Sequence, residues 1–420
     1  MRSSEKSKRE AQQDAGNFLW NAVGGMLNAG QSVFLLIVIT RACGLEAAGI
    51  FSIAFATGNL FLYLGNYGVR NYQVSDLSEQ YSFCDYLRHR LCTVALMLAA
   101  AFVYTVWSAK TGGYSLYKTS CVLAMCVLKA VDCLEEVFEG RYQQKGRLDR
   151  SGKLVTFRLL WSVGGMMAVL LASRDLLAAT WSGVILALAA SGFLILRYRD
   201  TAEFVGTPRS FRKIAGLMKA CFPVCAANFL SFYLINEPKY AIDAAMDETA
   251  QACYNFIAMP VFVIQLLNMF LYQPMLIRMT SSWENGRKGE FLGYFRKIAG
   301  ALVMISMPIL LAAWLFGIPV LSWLYATDLS MLRGELLLIM VGGIFLAFNG
   351  FYCAVLTIVR RQNEIPLAYL VGTFFSLALT PAFVVRDGIR GAVLAFVLVM
   401  AAVTVLLTGL FVFALRKKSV

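Results

Sequence analysis

Apolar segments of about twenty residues recur from one end of this 420-residue chain to the other, near 17–40, 47–68, 91–108, 116–138, 154–173, 177–196, 217–238, 253–277, 298–318, 333–357, 366–385 and 391–414. A bilayer core about 30 Å thick is crossed by roughly twenty residues of helix. Within it every backbone N–H and C=O must be paired inside its own segment, so the spans are expected to be helices. With 59% of residues apolar and 15% charged, a water-soluble fold would lack polar surface. The expected fold class is an all-α, polytopic membrane protein of about twelve transmembrane helices. The expected division is a six-helix lobe over residues 1–208 and a second over 209–420.

The net charge of +13 would suggest nucleic acid in a soluble protein, but its distribution argues against that partner. Basic residues cluster in alternate loops: Arg2, Lys6, Lys8 and Arg9; Arg70, Arg88 and Arg90; Arg141, Lys145, Arg147, Arg150 and Lys153; Arg197, Arg199, Arg209, Arg212 and Lys213; Arg278, Arg287, Lys288, Arg296 and Lys297; Arg360 and Arg361; Arg416, Lys417 and Lys418. The intervening loops are poor in them. This is the positive-inside asymmetry, and it predicts cytoplasmic termini. Residues 1–16 are polar and of mixed charge, unlike a cleaved signal, so the first span is expected to be retained. The ten cysteines form no CxxC pair and lie mostly in apolar runs, for example Cys121, Cys126, Cys221 and Cys225. They read as small buried hydrophobes, with no metal and no cofactor implied. The one histidine, His89, is expected at the surface of a basic collar.

A weak internal repeat supports the even span count. Arg70 followed by Phe83-x-x-Tyr86-x-Arg88 matches Arg278 followed by Phe291-x-x-Tyr294-x-Arg296 at the same spacing, and Arg141-Tyr142-Gln143 rhymes with Arg360-Arg361-Gln362. A six-span repeat keeps its orientation, which predicts two lobes about a pseudo-two-fold along the membrane normal, as alternating-access transporters have. All nine prolines lie from Pro208 onward, Pro238, Pro260, Pro274, Pro308 and Pro381 within or at the ends of spans. Bending is therefore expected in the second half, although such prolines also serve packing alone.

Charge inside the spans singles out candidate residues. The fourth span holds Lys129, Asp132, Glu135 and Glu136 and runs into Glu139. At roughly 100° per residue these fall on one helical face. Lys129 and Asp132 are expected near mid-bilayer, where a charge must face protein or an aqueous cavity. Lys129 offers a positive charge to an anionic headgroup, and the carboxylates are candidates for exchanging a coupling proton or cation. The plainer alternative is that Lys129 and Asp132 neutralise each other. The seventh span ends in Asn236-Glu237-Pro238-Lys239-Tyr240-Ala241-Ile242-Asp243, where proline frees a carbonyl beside polar residues; this reads either as a gate or as a solvated helix end. In the first span Asn17, Asn21, Asn28 and Gln31 form a polar stripe with Trp20 nearby, suited to sugar hydroxyls or to interhelical hydrogen bonds. Arg41 at its outer end is placed to meet a phosphate or to snorkel.

Gly68-Val69-Arg70-Asn71-Tyr72-Gln73-Val74-Ser75-Asp76, the run from Asn236 to Asp243, and Met259-Pro260-Val261-Phe262-Val263-Ile264 continuing to Tyr272-Gln273-Pro274 resemble bacterial polysaccharide or teichoic-acid repeat-unit flippases of the multidrug, oligosaccharidyl-lipid and polysaccharide exporter superfamily. The resemblance covers all twelve spans. It implies two six-helix lobes around a cavity open alternately to each side of a bacterial cytoplasmic membrane. It further implies a lipid-linked oligosaccharide on a polyprenyl diphosphate as cargo, membrane lipid and a coupling proton or sodium ion as further partners, and polymerase and glycosyltransferase proteins as neighbours. Arg70, Asn236, Pro238, Lys239 and Asp243 match the motif positions, and Glu237 stands where a small residue is expected. A cation-coupled multidrug antiporter of the same superfamily is the alternative. A membrane enzyme would need a large external loop or an acidic cluster at the membrane, and the expected external loops are short.

Overall fold

A computed structural model describes residues 2–76, 78–111, 113–199 and 211–417, with side chains at 2–12, 14, 15, 211, 265–270 and 417 not described. Among the described residues the regular structure is helical: α1 (Arg2–Cys43), α2 (Leu45–Asn66), α3 (Val69–Ser75), α4 (Phe83–Thr111), α5 (Leu116–Gln144), α6 (Leu148–Ser173), α7 (Leu176–Tyr198), α8 (Phe211–Ala245), α9 (Glu248–Ala258), α10 (Val261–Glu284), α11 (Lys288–Ala312), α12 (Ile318–Tyr325), α13 (Arg333–Ile358) and α14 (Ile365–Lys417). Among these residues nine segments are long and apolar enough to cross a membrane. The other expected spans fall on α5, whose charges lower its hydropathy; on α9 and α10, which part around Pro260; and on the two halves of α14, which bends at Gly388 with φ 58°. Large apolar side chains such as Phe102, Trp107, Trp161, Phe193, Met304 and Phe374 are exposed, as they are in a protein whose solvent is lipid.

Short polar residues set where several helices begin. Ser115 accepts from Lys118 N at 3.1 Å, Asp175 from Leu177 N at 3.0 Å and Asp247 from Ala250 N at 2.8 Å, each occupying an otherwise unpaired N-terminal donor. α8 runs unbroken past Pro238 to Ala245, so the expected break of the seventh span at Pro238 is not observed. The lost hydrogen bond is absorbed within one long helix. Pro274, Pro308 and Pro381 also lie inside helices, and a π-helical turn at Ala313–Gly317 follows Pro308.

The chain divides into two compact units, Met1–Phe229 and Leu230–Val420. The boundary expected at 208/209 lies outside the described residues. In the first unit α1 packs along α6, α2 along α5, and α6 along α7. Small residues permit these approaches: a Cβ added at Gly152 would stand 2.4 Å from the Trp20 carbonyl carbon, and one at Gly65 2.5 Å from Cys133 Sγ. Lipid tails are as apolar as leucine, so close van der Waals contact takes over the role that the hydrophobic effect plays in water. In the second unit α13 lies against α14 and α10. Phe295 and Phe411 stack there at 4.8 Å between ring centroids, and Phe256 and Tyr325 at 4.0 Å.

The repeated motif has matching local roles. Phe83 and Phe291, each near the start of its helix, are buried, whereas Arg88 and Arg296 are exposed. Phe83 packs on Phe138 with centroids 5.4 Å apart, and Phe291 on Trp283 at 5.0 Å. Each aromatic seats the first turn of a helix whose arginine stays outside. His89 departs from expectation: it is fully buried, set edge-on to Tyr67 at 5.5 Å, because it faces the same side of α4 as Tyr86.

Gly152→Ala is expected to lower unfolding stability in detergent micelles by about 1–3 kcal/mol, the usual cost of overpacking. Gly164→Ala on the same helix, where a Cβ meets nothing within 4 Å, is expected to leave it unchanged or slightly raised. Equal thermal and denaturant midpoints for the two variants would contradict the close α1–α6 approach.

Candidate functional site

The charges of α5 are not presented to solvent as one stripe; they fan out to four neighbouring helices. Lys129 Nζ donates to Asp132 Oδ2 at 3.0 Å, and the other Asp132 oxygen is paired with Arg158 of α6. Arg158 Nε reaches Glu135 Oε1 at 3.1 Å, while Ser191 of α7 donates to the second Glu135 oxygen. Arg90 of α4 pairs with Glu136 at 2.6 Å and donates to Gly65 O at 2.7 Å. Arg70 of α3 pairs with Glu139 at 2.8 Å and reaches Gln143 Oε1 at 3.2 Å. Lys129 also lies over the Phe55 ring at 4.8 Å. Its side chain is 2% exposed and that of Asp132 11%.

Four carboxylates, Asp132, Glu135, Glu136 and Glu139, thus meet four cations, Lys129, Arg158, Arg90 and Arg70. The ladder is electrically balanced, so each charge is compensated where water cannot do it. Two of these partners are not evident from the sequence pattern. Arg90 reads there as part of a basic loop, although it is 1% exposed. Arg158 is the lone cation within the 154–173 span, and that isolation is the signal by which it is open to detection.

The remaining candidates lie apart from this ladder. Gln31 donates to Asn28 Oδ1 at 2.8 Å on α1, with Gln31 buried and Asn28 partly exposed. Asn17 serves another end, accepting from Asp149 N at 2.7 Å. Arg41 is exposed. In the second unit Asn236 Nδ2 donates to Phe232 O at 3.1 Å, Lys239 and Asp243 are partly exposed, and Glu237 is 3% exposed. Glu237 lies within hydrogen-bonding reach of Thr380 and Ser376 of α14, and its Oε2 has no hydrogen-bond partner among the described residues. Against the paired carboxylates of α5, Glu237 is a buried acid among hydroxyls.

Beyond the α5 ladder, at its Glu139 end, Asp76 is buried and accepts from Gln80 N at 2.9 Å, Tyr81 N at 3.0 Å and Tyr86 Oη at 2.9 Å. Glu79 accepts from Arg141 at 2.8 Å and Lys145 at 3.1 Å. These contacts fasten the α3–α4 loop to the end of α5. The Arg141 hydrogen bond first, and the Lys145 one second, hold the Glu79 carboxyl below its ordinary value of 4.5. A depressed carboxyl contributes above its unfolded pKa and ceases to contribute as pH falls through the folded one. Amide exchange around Glu79, normalised for its intrinsic pH dependence, is therefore expected to quicken below about pH 4.5, and in Glu79→Gln at neutral pH; protection indifferent to both would refute the tether.

For the ladder, Arg158→Ala removes the cation shared by Asp132 and Glu135. Glu135 loses its cation while Asp132 keeps Lys129, and the protein is expected to be destabilised by about 3–5 kcal/mol, as loss of one partner of a buried pair does. Midpoints matching the wild type in micelles would count against the pairing.

No protein-family model matches the chain, and neither does any curated protein sequence. Solved structures do match in fold. A multidrug resistance MATE family transporter of the MOP superfamily in an inward-facing conformation superposes with TM-score 0.63 at 13% identity, covering 96% of this chain and 94% of that one. The lipid II flippase MurJ in its inward closed conformation gives TM-score 0.68 at 12% identity over 93% and 86%. A point mutant of the Vibrio cholerae MATE transporter VcmN gives 0.64 at 12% over 97% and 98%. The chain has the fold of these membrane transporters, a multi-pass helical architecture shared by drug exporters and a lipid flippase.

Proposed function

We propose that the protein is a flippase that carries a polyprenyl-diphosphate-linked oligosaccharide, or a related lipid-linked polymer precursor, from the cytoplasmic to the outer leaflet of a bacterial cytoplasmic membrane. In this reading residues 1–208 and 209–420 act as two lobes working by alternating access. A diphosphate and a row of sugar hydroxyls cannot cross hydrocarbon unaided, because each polar group would be stripped of water. A protein groove supplies substitutes while the lipid tail stays in the bilayer. The observation that carries the reading is a fold shared from end to end with a lipid flippase, in a chain whose buried helix α5 bears cations. The motif resemblance of the Arg70 and Asn236–Asp243 segments supports the same cargo class.

Lys129 is the cation assigned to the anionic headgroup. Asp132 retains Arg158 when Lys129 turns to a ligand, so the acid is not left without a cation. Glu237 is assigned to coupling, since a buried carboxylate with hydroxyl neighbours can exchange a proton or small cation without breaking an ion pair. That same residue favours the second reading, a cation-coupled multidrug antiporter, in line with the MATE neighbours.

Lys129→Ala is expected to abolish surface glycan export with membrane abundance unchanged, and expression of the wild type in a drug-hypersensitive host to give no protection. Normal export by Lys129→Ala removes that residue from the site, and clear drug protection transfers the assignment to the antiporter.

A further inference from the structure

Where the Asn17–Trp20 stretch of α1, the α5–α6 turn and the end of α7 meet, three cations converge on one carboxylate. Arg147 Nε lies 2.9 Å from Asp149 Oδ1, Arg150 Nε 3.5 Å from Oδ2, and Lys153 Nζ 3.8 Å from the same oxygen. Among the described side chains this group, unlike the balanced ladder of α5, has two more cations than carboxylates. Like charges this close repel, and free side chains would spread into water. Here they are held instead. The Arg150 guanidinium sits over the Tyr198 ring at 4.2 Å, and Lys153 Nζ over Trp20 at 5.4 Å. Arg150 Nε is shielded from solvent and has no hydrogen-bond partner among the described residues. The backbone beneath is tied down as well: Asn17 accepts from Asp149 N and donates to Gly146 O at 3.4 Å. The group crowns the N-terminus of α6, whose dipole adds to the positive potential. Trp20 and Tyr198 are residues of the kind that settle at the headgroup level of a bilayer.

We propose that Arg147, Arg150 and Lys153 form a docking site for a phosphate-bearing headgroup at the membrane surface. Guanidinium forks and an ammonium suit phosphate oxygens. The surplus of two charges matches a diphosphate diester or a pair of phosphodiesters. Asp149 acts as the spacer that keeps the cations gathered when the site is empty. The two sources of such a headgroup are the bilayer's own anionic phospholipid and a prenyl diphosphate; only the second depends on the flippase reading above, in which this site would collect cargo before transport.

The test is titration of the full-length protein in phosphatidylcholine nanodiscs with three probes: farnesyl diphosphate, nanodisc phosphatidylglycerol and inorganic pyrophosphate. At least one of the two lipids is expected to bind wild type, and Arg150→Gln/Lys153→Gln to weaken it by on the order of tenfold or more, since each basic residue near a membrane surface contributes severalfold to anion affinity. Preference for farnesyl diphosphate assigns the site to prenyl diphosphates, equal binding of phosphatidylglycerol assigns it to bilayer lipid, and binding of pyrophosphate with neither lipid overturns the headgroup proposal. Superimposed wild-type and variant isotherms, or no binding of any probe, overturn the proposal. If the double variant does not elute as a folded monodisperse protein, Lys153→Gln alone serves, with a severalfold loss expected. Because this readout is binding, it stands or falls separately from the export phenotype of Lys129→Ala.

Discussion

Asp132 sits between Lys129 and Arg158, and much of the first unit is organised by that shared carboxylate. In a low-dielectric interior neither cation is tolerable alone, and neither is the acid. The pairing therefore dictates that α5 and α6 meet at this depth and rotation. The same rule repeats along α5, where Glu135 binds Arg158 and Ser191, Glu136 binds Arg90, and Glu139 binds Arg70. Charges too costly for a lipid-facing helix become the elements that register it against α3, α4, α6 and α7.

Between these polar registers the helices are held by shape. Gly152 lets the backbones of α1 and α6 touch, and Gly65 receives the sulfurs of Cys133 and Met97. The cluster of Tyr67, Val69, Phe83, Tyr86 and Val137 with Leu217, Cys221 and Cys225 seals the first half of α8 into the first unit. The second unit relies more on aromatic stacking and on prolines inside long helices, and holds its buried acid, Glu237, among hydroxyls rather than cations. The two units thus solve the placement of charge in hydrocarbon differently. One neutralises its acids with fixed cations; the other sets an acid beside hydroxyls, with one carboxylate oxygen unpartnered among the described residues.

That contrast gives the proposed transport cycle its physical logic. A balanced ladder is a rigid scaffold from which a single cation can be lent to an anionic ligand. An acid without a cation is a point at which protonation or ion binding changes local charge. The surface group of Arg147, Arg150 and Lys153 is a third arrangement, positively charged in surplus and held by Tyr198 and Trp20. Its excess is tolerable because all three side chains keep about a quarter of their surface exposed, so water shares the work.

Hydropathy was enough by itself to determine an all-helical membrane fold and the places of most of its long apolar helices, because a hydrocarbon solvent imposes its length and polarity rules on each helix separately. The charges of α5 were legible for the same reason. Which partners they take was not: Arg158 and Arg90 lie on other helices, and only helix packing decided that Asp132 faces one and Glu136 the other. Packing likewise buried His89 and laid Arg150 and Lys153, local partners of Asp149 on α6, over the rings of Tyr198 and Trp20. Each of these depends on rotations and approach distances between helices distant in sequence, and such distances are set by side-chain fit and charge pairing across the bundle rather than by any local pattern.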